Sequence, residues 1–247
     1  MLGLPPAVRA CLFDLDGVLT KTAKVHAAAW KQMFDDYLRE RAKHSGDEFV
    51  PFDQEADYDS SVDGRPRYDG VRAFLGSRGI ELPQGQPSDA PGAQTLDGLG
   101  NRKNEILLRL INEHGVESYA GSVRYVKEAA ERKLRRAVVS SSTNCHEVLA
   151  AAGIADLFEA VIDGVVAERE HLRGKPEPDT FLAGARELQV EPAHAAVFED
   201  ALAGVEAGRA GSFGCVVGVD RVGQTDALRS HGADVVVSDL AELLDSR

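Results

Sequence analysis

The sequence predicts an α/β fold, a doubly wound parallel sheet with a helical domain inserted after its first strand. A wholly apolar run, Ala10-Cys11-Leu12-Phe13, stops at Asp14-Leu15-Asp16-Gly17, as a buried central strand does where its carboxyl end opens into a crevice. Further apolar runs in the second half alternate with segments of helical spacing, which implies parallel strands joined by right-handed helical crossovers. Between these regions, residues 21–112 show helical patterns and no convincing parallel strand.

Each element has its own signal. After the first strand, Val25, Ala28, Ala29, Met33, Phe34, Tyr37 and Leu38 recur at helical spacing and open the insert. Residues 82–100 hold most of the local Pro, Gly and Gln and read as an exposed loop. A helical pattern over 123–134 leads into a strand at Val138-Val139 that ends in Ser140-Ser141-Ser142. Another over 180–188 leads into Ala195-Ala196-Val197-Phe198, which ends in Glu199-Asp200. Strands over 214–219 and 233–237 complete the series. The expected division is a Rossmann-like core, residues 1–20 and 113–247, and an inserted helical cap domain, residues 21–112. No internal repeat interrupts it.

Composition narrows the function. A formal charge of −12 repels nucleic acid and anionic membrane surfaces, and no Lys/Arg cluster makes a local exception. An acidic protein that binds phosphate must concentrate its positive groups, or a metal, inside the site. Cys11, Cys145 and Cys215 are scattered in or beside apolar stretches and read as buried reduced thiols. Neither a secretory-type start nor a membrane-length apolar run is evident, so the expectation is a cytoplasmic protein, monomeric, acting on a small molecule.

Separated segments end strands or open loops where a doubly wound sheet would gather them. Asp14 and Asp16 lie two apart on an extended segment and so point the same way. Ser140-Ser141-Ser142-Thr143-Asn144 is a hydroxyl-rich strand end that suits a phosphate, although the same residue types also cap helices. In Gly174-Lys175-Pro176-Glu177-Pro178, the prolines restrict the backbone beside Lys175 and argue for a placed charge. Glu199-Asp200 puts acids at a buried strand end, where they need a partner; Mg2+, bound by oxygen ligands, satisfies them together with Asp14.

This set, in this order, resembles the haloacid dehalogenase-like superfamily of phosphotransferases over nearly the whole chain. The resemblance implies that Asp14 is a nucleophile that becomes an aspartyl phosphate and that Asp16 is the general acid and base. It further implies that Ser140, with Ser141 and Asn144, binds the transferring phosphoryl group and that Lys175 neutralises charge around Asp14. Magnesium would be held by Asp14, the backbone carbonyl of Asp16, Glu199 and Asp200. A carboxylate attacking phosphorus gives a reactive acyl phosphate, which splits one hard transfer into two easier ones.

The insert bears on the substrate. Lys21-Thr22-Ala23-Lys24-Val25-His26-Ala27-Ala28-Ala29-Trp30-Lys31 looks like the hinge and first cap helix of the β-phosphoglucomutase family. Gly64-Arg65-Pro66-Arg67 looks like the loop whose arginine grips the non-reacting phosphate, and Arg102-Lys103-Asn104 like the segment whose lysine contacts the sugar. Thr22, His26, Trp30, Arg65, Arg67 and Lys103 are thus candidate substrate residues. Arg67 fits the grip by register, with Arg65 as the alternative, while packing accounts for Trp30 better than a sugar platform does. The implied reaction interconverts β-D-glucose 1-phosphate and glucose 6-phosphate through glucose 1,6-bisphosphate. Two other readings stay open: a magnesium-dependent phosphatase of small sugar phosphates on the same core, and a non-catalytic binding protein, which the intact acidic motifs oppose.

Overall fold

The computed structural model describes residues 2–46, 48–63 and 65–245. The chain divides into two compact units, 1–21 with 116–247, and 22–115.

The first unit is built on a six-stranded sheet. Strand β1 (Ala10–Phe13) lies at its middle, and every residue in it is buried. On one side follow β2 (Arg135–Val139) and β3 (Ala160–Ile162); on the other follow β4 (Ala195–Glu199), β5 (Cys215–Val219) and β6 (Val235–Val237). All pairings are parallel, in the order β3-β2-β1-β4-β5-β6. Alternation along β1 sends Leu12 to one face, with Val139, Val197 and Phe181, and Phe13 to the other, where it stacks on Phe198 and meets Tyr125 edge-on. Burial on both faces is why these strands read as continuous apolar runs.

The register places the site. Phe13 is level with Val138 on β2 and with Phe198 on β4, so Asp14 follows at the level of Val139 and Glu199, the last residues of those strands. Strand order reverses direction at β1, and in such sheets ligands bind beyond the carboxyl ends at this point.

Helices α5 (Ala120–Glu131), α6 (Cys145–Ala151), α7 (Gly164–Arg169), α8 (Asp179–Glu187), α9 (Leu202–Ala210), α10 (Thr225–Ser230) and α11 (Glu242–Asp245) also belong to this unit; numbering runs along the chain. The second unit contains α1 (Ala23–Ser45), α2 (Ala56–Ser61), α3 (Arg67–Ser77) and α4 (Leu96–His114). Its core is aromatic. Phe34 stacks on Trp30 and on Phe52, and packs at 4.1 Å between centroids against Phe74. Where the chain leaves and re-enters the first unit, Lys21 N–H donates to the Glu117 carbonyl and Tyr119 N–H to the Leu19 carbonyl.

The structure departs from the sequence reading in two places. Strand β3 had no signal: three residues at the sheet edge, only partly buried, are too few to show a period. The expected exposed loop over 82–100 ends early. Thr95 accepts the Gly98 N–H at 2.9 Å, capping α4, and Leu96 to Gly100 form its buried first turns. Composition points to a loop there because Gly98 and Gly100 read as breakers, whereas each sits where a larger side chain would collide. A Cβ on Gly100 would meet Tyr68, and one on Gly98 would meet Ala93.

All three cysteines are free and buried. Burial pushes the Cys215 thiol up to about 11 and the Cys11 and Cys145 thiols higher still, which leaves them unreactive. Among the described residues, no helix is long and apolar enough to cross a membrane.

Candidate active site

Asp14 is the first residue beyond β1, and its N–H donates to the Phe198 carbonyl at 2.9 Å, which ties it to the end of β4. The chain then makes one tight turn. Leu19 and Thr20 N–H groups and the Thr20 hydroxyl donate to the Leu15 carbonyl, and Gly17 N–H donates to that of Thr20. Gly17 has φ +83°, and a Cβ there would overlap the Asp200 carboxylate. Only glycine meets both conditions without strain, so the turn is shaped around a close approach to Asp200.

Lys175 enters from the segment before α8. Its Nζ donates to Asp14 Oδ1 and to Glu199 Oε1, both at 2.6 Å, and lies 3.4 Å from the Val139 carbonyl. The lysine side chain is 2% exposed. Burial works to lower its pKa, but the two carboxylates prevail and hold it above the usual lysine range. It is therefore a fixed, charged ammonium. Glu199 is equally fixed, since its Oε2 accepts the Ala201 N–H at 2.7 Å and its carboxylate lies against Gly204 of α9.

Burial pushes the Asp14 carboxyl well above the ordinary range; Lys175 opposes this, and the nearby Glu199 and Asp16 reinforce it. One ammonium does not balance these acids. Asp14, Glu199 and Asp200 each present an oxygen within 4.8 Å of the others, a set able to hold a metal ion. Oxygen-only donors suit a hard divalent cation, which would remove the excess negative charge that burial makes costly. The oxygens of Glu199 that accept protein donors each keep a second lone pair. The residues present thus fit a divalent metal.

Beyond β2, Ser140 is buried, and its Oγ accepts the Ser142 N–H at 3.1 Å; Ser142 Oγ in turn accepts the Asn144 N–H. Ser141 is half-buried, and Asn144 is buried at the start of α6 without a side-chain capping bond to that helix. The Ser140 and Ser142 hydroxyls thus shape the turn that leads into α6. Phe13 is level with Val138, so Asp14 follows at the level of Val139, and Ser140 is the next residue along on the neighbouring strand end.

In the helical unit, three of the sequence candidates form one cluster. Lys103 Nζ lies 3.2 Å from His26 Nδ1 and 5.0 Å from the centroid of the Trp30 ring, and both Lys103 and Trp30 are buried. Trp30 also stacks on Phe34, in keeping with packing. Thr22 is buried and accepts, through its carbonyl, the first helical N–H bond of α1, from His26. Arg67 begins α3 half-buried, its guanidinium 5.6 Å from the Tyr68 ring, whereas Arg65 is exposed. Gly64 of the same motif lies outside the described residues.

Two polar side chains at this site carried no sequence signal. Arg221 Nε donates to the Gly17 carbonyl at 2.7 Å, and Gln224 Nε2 donates to the Asp200 carbonyl at 3.0 Å. Their segment, Asp220-Arg221-Val222-Gly223-Gln224, reads locally only as a turn after a strand.

Residues 8–211 match the family model of haloacid dehalogenase-like hydrolases. A β-phosphoglucomutase of Mycobacterium bovis is 56% identical over 247 residues, covering 99% of this chain and 94% of that protein. The β-phosphoglucomutase of Bacillus subtilis is 32% identical, covering 96% and 92%. Among solved structures, a β-phosphoglucomutase from Clostridium difficile superposes with a TM-score of 0.75 at 26% identity, covering 96% of this chain and 93% of that one. With its acid pair behind β1, its buried lysine and its acids behind β4, the chain belongs to the haloacid dehalogenase-like hydrolase family, in the β-phosphoglucomutase branch.

Proposed function

We propose that this protein is a phosphomutase that interconverts β-D-glucose 1-phosphate and glucose 6-phosphate. The observation that carries the reading is the buried Asp14–Lys175–Glu199 arrangement beyond β1, in a chain that matches a β-phosphoglucomutase along its whole length.

Asp14 is the nucleophile. Starting from phosphorylated Asp14, the sugar 6-hydroxyl attacks phosphorus, the Asp14–phosphorus bond breaks, and the bisphosphate forms. Asp16 takes the hydroxyl proton. After the bisphosphate turns over, Asp14 attacks the phosphorus at C1, glucose 6-phosphate leaves, and Asp16 returns the proton to the departing oxygen. Lys175 fixes the Asp14 carboxylate and, with Ser140, Ser141 and Asn144, meets the charge on the phosphoryl oxygens. A magnesium ion held by Asp14, Glu199, Asp200 and the Asp16 carbonyl would supply further neutralisation of that charge.

The helical unit selects the substrate, as a cap domain. Arg67 grips the phosphate not being transferred, and Lys103, held by His26 and Trp30, contacts the sugar together with Thr22. Arg65 is the weaker candidate for the grip because it is exposed. The protein works in the cytoplasm, as a monomer, on a small sugar phosphate.

The test is a coupled glucose 6-phosphate assay on β-glucose 1-phosphate beside a free-phosphate assay, with and without traces of glucose 1,6-bisphosphate. Isomerisation that depends on priming supports the mutase. Rapid phosphate release with no isomerisation, unaffected by the bisphosphate, replaces it with a phosphatase.

A further inference from the structure

The turn after β5 is wound around one carboxylate. Asp220 Oδ1 accepts the N–H groups of Val222, Gly223 and Gln224, at 3.2, 2.7 and 2.9 Å, and its Oδ2 takes the Thr225 hydroxyl. From this rigid turn two side chains reach opposite halves of the acidic site. Arg221 Nε donates to the carbonyl of Gly17, next to Asp16, and Gln224 Nε2 donates to the carbonyl of Asp200. Gly17 itself packs against the Asp200 carboxylate. The Asp14–Gly17 segment and Asp200 are thus linked twice, once by direct packing and once through the turn.

Arg221 is held far more tightly than a surface arginine. Its Nη1 donates to the Ser238 carbonyl at 2.6 Å, and its guanidinium lies 3.6 Å from the centroid of the Tyr119 ring. The side chain is 14% exposed. Nη2 is buried with no hydrogen-bond partner among the described residues. A planar cation that bonds two carbonyls on different edges while stacking on an aromatic face uses geometry a lysine lacks. Asp239 Oδ2 stands 3.9 Å from Nη1, so the cation is paired as well as bonded to the Gly17 and Ser238 carbonyls, and the one side chain ties the Asp14–Gly17 segment to the segment after β6.

We propose that Arg221 and Gln224 are positioning residues: the 220–225 turn sets the distance between the Asp14–Asp16 loop and Asp200, and with it the affinity of the acidic cluster for its divalent cation. The inference rests on the reading of Asp14, Glu199 and Asp200 as metal ligands. Neither residue touches the reacting groups. Their effect is exerted through the Gly17 and Asp200 carbonyls, in the manner of outer-shell partners whose loss costs about 10–100-fold in metal affinity or activity.

The experiment is calorimetric titration of magnesium chloride into substrate-free protein, for the wild type, Arg221→Met, Arg221→Lys, Gln224→Leu and Asp200→Ala, with turnover measured in parallel. Arg221→Met should weaken magnesium binding roughly tenfold or more and lower kcat while KM for the sugar phosphate holds. Arg221→Lys should restore thermal stability better than it restores magnesium affinity. Gln224→Leu, on a half-exposed turn, should fold and weaken binding in the same direction, and it decides the matter if Arg221→Met does not fold. Wild-type magnesium affinity and kcat in folded Arg221→Met and Gln224→Leu overturn the proposal, even if melting temperatures fall. Loss of binding in Asp200→Ala beside unchanged binding in the turn variants removes the brace and leaves the metal site standing. Failure of the wild type to bind magnesium removes both.

Discussion

Lys175 Nζ lies 2.6 Å from Glu199 Oε1, with the side chains 2% and 1% exposed, and the same nitrogen is 2.6 Å from Asp14 Oδ1. Glu199 thus anchors the lysine that serves Asp14. Removing one partner of a buried pair leaves an uncompensated charge, at a cost of about 3–5 kcal/mol. Lys175→Met should therefore destabilise the protein strongly in chelator and less in magnesium, because a cation would take over part of the lost charge. Urea unfolding with EDTA and with magnesium measures the difference. Equal stability to wild type in EDTA would contradict the pairing.

Asp14→Asn should abolish phosphoryl transfer while the fold persists. The amide is near-isosteric, and burial already disfavours the charged carboxylate at this position. Circular dichroism reports the fold and the coupled assay the turnover. Wild-type rates in a folded variant would reject Asp14 as nucleophile. Asp16→Asn should lose about 10²–10⁴-fold through failed proton transfer.

Chelation should stop catalysis and magnesium should restore it, since the cluster of Asp14, Glu199 and Asp200 offers hard oxygen donors without His or Cys. Asp200→Ala should raise the magnesium concentration needed for half-maximal rate. Activity that survives exhaustive chelation, or a requirement for zinc, would rule the site out.

Arg67→Ala should cripple conversion of β-glucose 1-phosphate far more than hydrolysis of a generic monoester, which has no second phosphate to hold. A guanidinium–phosphate contact is among the stronger hydrogen-bonded pairs, so the loss should appear in the bisphosphate complex. The ratio of the two rates in variant and wild type is the measurement. A proportional fall in both would show that Arg67 does not discriminate between them.

Asp220 carries a pH prediction. Burial raises its pKa, but the Thr225 hydroxyl and the N–H groups of Gln224, Gly223 and Val222 prevail and hold it below the ordinary carboxylate range. A depressed folded-state pKa contributes stability that is complete above the unfolded value of about 3.9 and is lost as pH falls through the lower folded value. Asp220→Asn should flatten the stability profile in that acid window and leave the slope near neutrality unchanged. Melting temperature against pH for both proteins tests it; parallel profiles would mean that the carboxylate charge contributes nothing.

A parallel sheet, the alternation of strands and helices along the chain and most of the polar strand ends are legible in the sequence. Each of those signals is local: the apolar run before Asp14, the hydroxyls behind Val139 and the acids behind Phe198 are read within a few residues, because a buried parallel strand must be apolar throughout and must stop where its polar ends emerge. It left out β3, too short to show a period, and the start of α4, whose glycines serve close packing. Contacts made across the chain come from the tertiary fold. Lys175 and Asp14 stand 161 residues apart and Arg221 and Gly17 204 apart, so no spacing rule joins them. They meet because the parallel sheet carries the ends of β1, β4 and β5 to one edge, where Arg221 follows β5, and because α8, which Lys175 precedes, packs on β1; burial there leaves each charge to find its partner among the groups the fold delivers.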